Sequence, residues 1–241
     1  FSSDLTVAGA PFIPPGSGYV DTSWTFIPYF KGTFGDLYLE AELAWMDGTR
    51  KYDPNAIVQQ DGDLEGLAYY LKARYNIGPG YIGGMYAFSE GQDQSPVTNK
   101  IGNQRVGGAD FDPMLILWNS DFVKWNGGVG GGTAWVATGD SMGADGGFGA
   151  SLIQIFAGYQ ANKDLDLFVS YSIADADEQT AGWDSSLGKE LDIKATYKLF
   201  DNLEYEAAFG YFWAGDIFKA GNAANQVDDT YLLFHKLTMS F

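Results

Sequence analysis

Eleven charged residues recur along otherwise apolar stretches: Glu40 and Glu42, Lys72 and Arg74, Asp166, Asp192 with Lys194 and Lys198, Glu204 and Glu206, and Lys236. In extended chain, residues two apart point the same way, so each group shares one face of its segment. Paired carboxylates invite comparison with the acid–base pairs of glycosidases. Here the neighbouring segments carry cations, which keep both members of a Glu pair ionised and leave no general acid. What remains is electrostatic work. Opposite charges on adjacent strands favour one register, and charges turned inward need water or partners. Lining a wide bore, such residues set its field and ion selectivity. In a narrow one they form a salt-bridged plug that conducts nothing.

Other chemistries find little to work with. Among 241 residues there is no cysteine and one histidine, His235. That histidine shares its face with Leu233 and Leu237 and has no Ser or Asp beside it there, which argues against a triad or an Asp-His dyad. The run GGVGGG at 127–132 lacks the lysine and the strand–helix context of a phosphate loop. Acidic pairs recur in irregular stretches, and clustered carboxylates attract hard cations. Asp110, Asp112, Asp140 and Asp145 are weak calcium candidates, because no stretch has a complete calcium-loop spacing. A solvated acidic rim is the plainer expectation, and no cofactor is expected. With 14 Lys+Arg against 31 Asp+Glu and a net charge of -17, nucleic acid is a poor partner.

The elements that must position these charges repeat every two residues. From Leu37, LYLEAELAW sets Leu37, Leu39, Ala41, Leu43 and Trp45 against Tyr38, Glu40, Glu42 and Ala44. LDIKATYKL from Leu191 and LEYEAAFGYFW from Leu203 do the same. Strict alternation predicts half-buried strands near 19–34, 37–47, 63–76, 80–90, 149–162, 165–175, 189–200, 203–215 and 229–241. Their connections alternate between tight turns, such as Gly35-Asp36 and Asp201-Asn202, and long loops at 48–62, 91–148, 176–188 and 216–228. Tight turns at one end and long loops at the other belong to transmembrane barrels. The expected fold is therefore all-β: a transmembrane antiparallel up-and-down β-barrel of about ten strands, apolar outside and polar within, forming a single domain over 1–241. Aromatic residues toward the strand ends, among them Tyr19, Trp24, Trp45, Tyr75, Tyr81, Tyr159, Tyr205, Tyr211, Trp213 and Tyr231, are expected to form girdles at the headgroups. A soluble all-β binding domain is the rival, and it would have to cover the apolar faces with a second sheet.

The last residues read YLLFHKLTMSF. Tyr231, Leu233, Leu237, Met239 and the terminal Phe241 resemble the assembly signal of Gram-negative outer-membrane β-barrels, and the chain as a whole resembles their porin-like and alginate-export-like members. The resemblance implies a place in the bacterial outer membrane, with Phe241 at the periplasmic end and the last strand read by the barrel-assembly machinery. It implies surrounding lipid and lipopolysaccharide, and small solutes or ions as cargo. The expected function is passive diffusion of small hydrophilic solutes or ions, mildly cation-preferring because of the acidic rim. A non-conducting barrel that anchors or sheathes a partner protein is the alternative, and association of identical barrels is left open. With Phe241 at the periplasm, the strand at 19–34 descends, so one further ascending strand is needed for even parity. Either the short stretch 3–9 supplies it, or these residues are the C-terminal part of a larger barrel.

Within 91–148, Pro113-Met114-Leu115-Ile116-Leu117-Trp118 is too apolar to wave freely in water. Long loops of this kind are functional or disordered. One expectation is a segment folded into the barrel mouth as a constriction or lid. The other is a short extra strand, or an extracellular loop packed on the rim.

Overall fold

Alternating side chains become alternating exposure. On one strand Gln154 is 5% exposed and the following Ile155 is 62% exposed, and the same contrast repeats from strand to strand. A computed structural model describes residues 19–52, 61–91, 100–101, 113–118 and 148–241. The expected short strand at 3–9, most of the stretch 91–148, and the calcium candidates Asp110, Asp112, Asp140 and Asp145 lie outside the described residues.

The chain forms one all-β sheet built from β1 (Tyr19–Phe26), β2 (Tyr29–Phe34), β3 (Leu37–Tyr52), β4 (Gly62–Ile77), β5 (Gly80–Ser89), β6 (Lys100–Ile101), β7 (Ala150–Asn162), β8 (Leu165–Asp175), β9 (Ser186–Phe200), β10 (Leu203–Ala214) and β11 (Thr230–Met239). The order along the sheet is β1-β3-β4-β5-β7-β8-β9-β10-β11, with β2 continuing β1 along the same edge of β3. These neighbours are all antiparallel, so the path runs up and down through the sequence; only the two-residue β6 adds a parallel pairing, to β4. The antiparallel up-and-down architecture agrees with the alternation read from the sequence.

Local chemistry accounts for the junctions. The expected strand 19–34 is two pieces because Pro28 has no N–H to donate to the ladder, although its carbonyl still accepts from Leu43 N at 3.1 Å. Gly35 and Gly78 sit at φ 60° and 56° in the first two tight turns, a region that side chains disfavour. In the next turn Asn162 Oδ1 accepts from Asp164 N at 2.9 Å and Leu165 N at 3.0 Å, which replaces backbone pairing across the bulge. Strand β1 is fastened to β3 by a bidentate pair, with Arg50 Nε and Nη2 donating to Asp21 at 2.8 and 2.9 Å.

Two faces follow from the register. The inner face holds the buried cluster: Met85 and Ala87 of β5, Leu152 and Phe156 of β7, Ala174 of β8, Leu187 of β9 and Phe212 of β10, packed with Met114, Ile116, Leu117 and Trp118. The outer face carries exposed Ile82, Ile153, Ile155, Ile193, Leu233 and Leu237. Most of the expected girdle aromatics share this outer face, but two do not. Tyr19 pairs in register with Tyr52 and lies under the Arg50 guanidinium, and Tyr81 meets Arg74 and Phe156; both turn to the inner side. Tyr19 counts from a strand start where one residue of offset reverses the face. Among the described residues, β11 pairs only with β10, and β1 and β2 only with β3.

Candidate functional site

All eleven charged residues singled out in the sequence fall on the inner face, and the register decides which of them meet. Toward the tight-turn end, Glu40 stands opposite both Lys72 and Lys31. It accepts hydrogen bonds from the hydroxyls of Tyr29 and Tyr38, each at 2.7 Å, so its charge is held by phenols as well as by lysine. Glu42 is opposite Tyr29 and Tyr70 rather than a cation. Arg74 is opposite Tyr38, and its guanidinium lies 5.3 Å from that ring and 5.1 Å from the ring of Tyr81.

Further round the sheet, Glu206 stands opposite Lys236, and Lys194 Nζ approaches it diagonally at 3.5 Å. Glu204 is opposite Lys198, whose Nζ bonds instead to Asp201 at 3.0 Å in the adjoining turn. Asp166 faces Gln160 and Thr196, apart from these pairs. Lys72 lies 5.7 Å from the ring of Phe156 and Lys194 5.6 Å from that of Phe168, so basic side chains alternate with rings along this level. Gly158 and Gly83 make room for that layer, since a Cβ at either would run into the ring of Tyr81 or Phe156.

Toward the long-loop end the inner face is occupied. Residues 113–118 lie against it with Met114, Leu117 and Trp118 buried to 1% exposure. The clasp is Glu190, itself 0% exposed. Its Oε1 accepts from Leu115 N at 2.8 Å and Ile116 N at 2.6 Å, and its Oε2 from Leu117 N at 2.9 Å. Three successive amides converging on one carboxylate form an anion nest, which is what makes a buried carboxylate tolerable. From β7, Gln154 Nε2 donates to Pro113 O at 2.6 Å and to Ser172 Oγ at 3.0 Å. Asp192 lies two residues beyond Glu190 on the same face and is 2% exposed. Its Oδ2 is 3.4 Å from Ser170 Oγ, and its Oδ1 has no hydrogen-bond partner. Gly210 opposite leaves it space, because a Cβ there would come within 2.9 Å of Asp192 Oδ1.

Glu190, Gln154, Ser170 and Ser172 escaped the sequence reading. Periodicity puts Glu190 on the face of Asp192, but it says nothing of amides 73 to 75 residues earlier that would fold onto it. His235 sits on the outer face, 5.9 Å from the ring of Tyr205 and opposite Ala207. Among the described residues, no group of three or more acidic, histidine or cysteine side chains could hold a metal ion.

No protein-family model matches the sequence, and no curated protein is significantly similar to it. Solved structures do match. The neighbours include outer-membrane proteins and a porin. OmpT of Vibrio cholerae, described as outer-membrane expressed, aligns over 92% of this chain and 61% of its own at 15% identity and a TM-score of 0.45. A BenF-like porin from Pseudomonas fluorescens aligns over 92% and 48% at 16% identity and a TM-score of 0.43. OccK9 (OpdG) of Pseudomonas aeruginosa aligns over 91% and 47% at 16% identity and a TM-score of 0.41. The chain spans 61% or less of these structures, and no residue role is carried over from them.

Proposed function

We propose that the protein is a porin-like channel of the bacterial outer membrane through which small hydrophilic solutes or ions diffuse passively, with a mild preference for cations. The observation that carries this reading is the division of the sheet into two unlike faces. Exposed Ile155, Ile193, Leu233 and Leu237 suit hydrocarbon, while Glu40, Lys72, Arg74, Lys194, Glu206 and Lys236 share the opposite face and suit a wet lumen. In hydrocarbon every backbone group must be paired, so the edges of β1, β2 and β11 that have no partner among the described residues call for further strand pairing that completes a cylinder. The segment 113–118, clasped by Glu190, then narrows the lumen at its long-loop end, and the paired charges below it set the field through which solutes move.

In this reading the outer face meets lipid and lipopolysaccharide, the barrel-assembly machinery reads the last strand through Tyr231, Leu233, Leu237, Met239 and Phe241, and no catalytic step takes place. Purified protein in a planar bilayer tests the function. Steady unitary steps, with a reversal potential in a salt gradient on the cation side, are expected; a silent bilayer containing correctly inserted protein contradicts it. One observation favours a second reading, a non-conducting barrel that holds a partner. Trp118, Met114 and Phe212 fill part of the inner volume with apolar side chains. The same recording separates the two, because a plugged barrel gives no steps.

A further inference from the structure

Between the loop after β8 and the loop after β10, on the outer face, lies an open cavity of about 570 Å³ lined by Tyr171, Asp184, Lys189, Trp213 and Asp216 among others. That volume falls within the range of ligand pockets. Its floor is aromatic: Trp213 is 6.3 Å from Tyr171 and 4.8 Å from Tyr211, measured between ring centroids. Tyr211 is held in turn by Asp229, which accepts from its hydroxyl at 3.3 Å and from Ala214 N at 3.2 Å. Lys189 stands in register between Ile173 and Trp213 and forms no ion pair among the described residues. The two carboxylates are differently engaged, Asp216 with Lys219 at 2.7 Å and Asp184 Oδ1 with Ser186 N at 2.8 Å. Asp184 keeps its second oxygen, an acceptor for hydroxyl groups.

Away from the loops, the same face continues as an apolar lane. Below the row of Lys189 and Trp213 come Tyr171, Leu191 and Tyr211, then Val169, Ile193 and Phe209, and the row after that holds Leu167 with the small Ala195 and Ala207. The lane is deepest at the two alanines, where an extended alkyl chain would lie. Aromatic faces beside carboxylate acceptors suit a sugar ring, an exposed lysine suits a phosphate, and an apolar lane suits an acyl tail.

We propose that this cavity is a binding site for one phosphorylated glycolipid of the surrounding leaflet, its sugar against Trp213 and Tyr171, its phosphate at Lys189 and an acyl chain along Ile193 and Ala195. The site rests on the reading that the outer face meets lipid, and the test separates the two. The full chain is inserted into vesicles of phosphatidylcholine containing lipid A, and separately into vesicles containing phosphatidylglycerol instead. Flotation reports insertion, and mass spectrometry of the detergent-extracted protein reports retained lipid. Retention of lipid A above both phosphatidylglycerol and phosphatidylcholine is expected. It should fall roughly tenfold in Lys189→Glu, by reversal of a surface charge, and survive in Lys189→Arg. Trp213→Ala should lose lipid A while still floating with the vesicles. Equal retention by wild type and Lys189→Glu, or of lipid A and phosphatidylglycerol, overturns the site but leaves the membrane reading intact. A chain that does not float overturns both.

Discussion

The carboxylate of Glu190 lies 2.6 Å from the amide nitrogen of Ile116, and the amides of Leu115 and Leu117 close on the same group at 2.8 and 2.9 Å. One side chain thus meets the hydrogen-bonding needs of a whole turn of irregular backbone. Apolar side chains alone would bury residues 113–118 at the cost of three unsatisfied N–H groups. Glu190→Ala orphans those donors, each worth roughly 1–3 kcal/mol when buried and unpaired. The variant should unfold at lower temperature, and a collisional quencher should reach Trp118. If the segment narrows the lumen, unitary conductance should rise as well. Unchanged Trp118 emission and unchanged conductance would show that the clasp is dispensable.

Asp192 makes the opposite prediction. It is a buried carboxyl beside Glu190, with Oδ1 unpartnered. Asn has the same shape, removes a like charge and adds donors. Asp192→Asn should therefore be at least as stable as the wild type, and more stable if the carboxyl is charged, since an unpaired buried charge costs several kcal/mol. Thermal unfolding followed by the loss of β-sheet circular dichroism measures it. A large drop in melting temperature would mean that the carboxyl group makes a contact that asparagine cannot replace.

Selectivity should follow the inner-face charges. Glu206 stands opposite Lys236 and 3.5 Å from Lys194. Glu206→Lys would bring three cations together at that level and should move the reversal potential in a salt gradient toward anions. The charge-reversed outer-face control Lys189→Glu should leave the potential unchanged. If Glu206→Lys leaves the potential unchanged as well, the inner face does not border the conduction path.

Leu237 is exposed on the outer face of β11, opposite Tyr205. At the bilayer midplane, arginine there should cost about 2–4 kcal/mol and less toward the headgroups. Urea-induced unfolding of Leu237→Arg from vesicles measures the loss. A variant as stable as the wild type would mean that this face does not meet hydrocarbon.

The strands were legible because alternation survives wherever one face is apolar: LYLEAELAW and LEYEAAFGYFW became β3 and β10 with the expected faces. Boundaries were less so. Strand β3 runs on to Tyr52 because Thr49 and Arg50 pair with both β1 and β4 and Tyr52 pairs with β1, which a polar run ending in Lys51 and Tyr52 does not announce. The Glu40–Lys72 and Glu206–Lys236 pairs could be anticipated from charge alone, since strands consecutive in the chain are neighbours in an up-and-down sheet, even across the long loops that join these two pairs. The clasp could not. Glu190 depends on a contact across more than 70 residues of chain, and the partner amides belong to a stretch with neither helical nor strand periodicity. Tyr19 and Tyr81 were misplaced because both sit near strand starts, where the alternation has few residues to establish its phase.

The central claim is that alternate residues of these strands meet lipid and water, and the cysteine-free chain allows it to be read one position at a time. Single cysteines placed in turn from Leu232 to Thr238 and spin-labelled in vesicles would report collision with oxygen dissolved in the membrane and with a water-soluble nickel complex. Positions 233, 235 and 237 should favour oxygen and positions 232, 234, 236 and 238 nickel, a period of two through the strand. Equal accessibility to both agents along the strand, or oxygen preference at position 236, would contradict it.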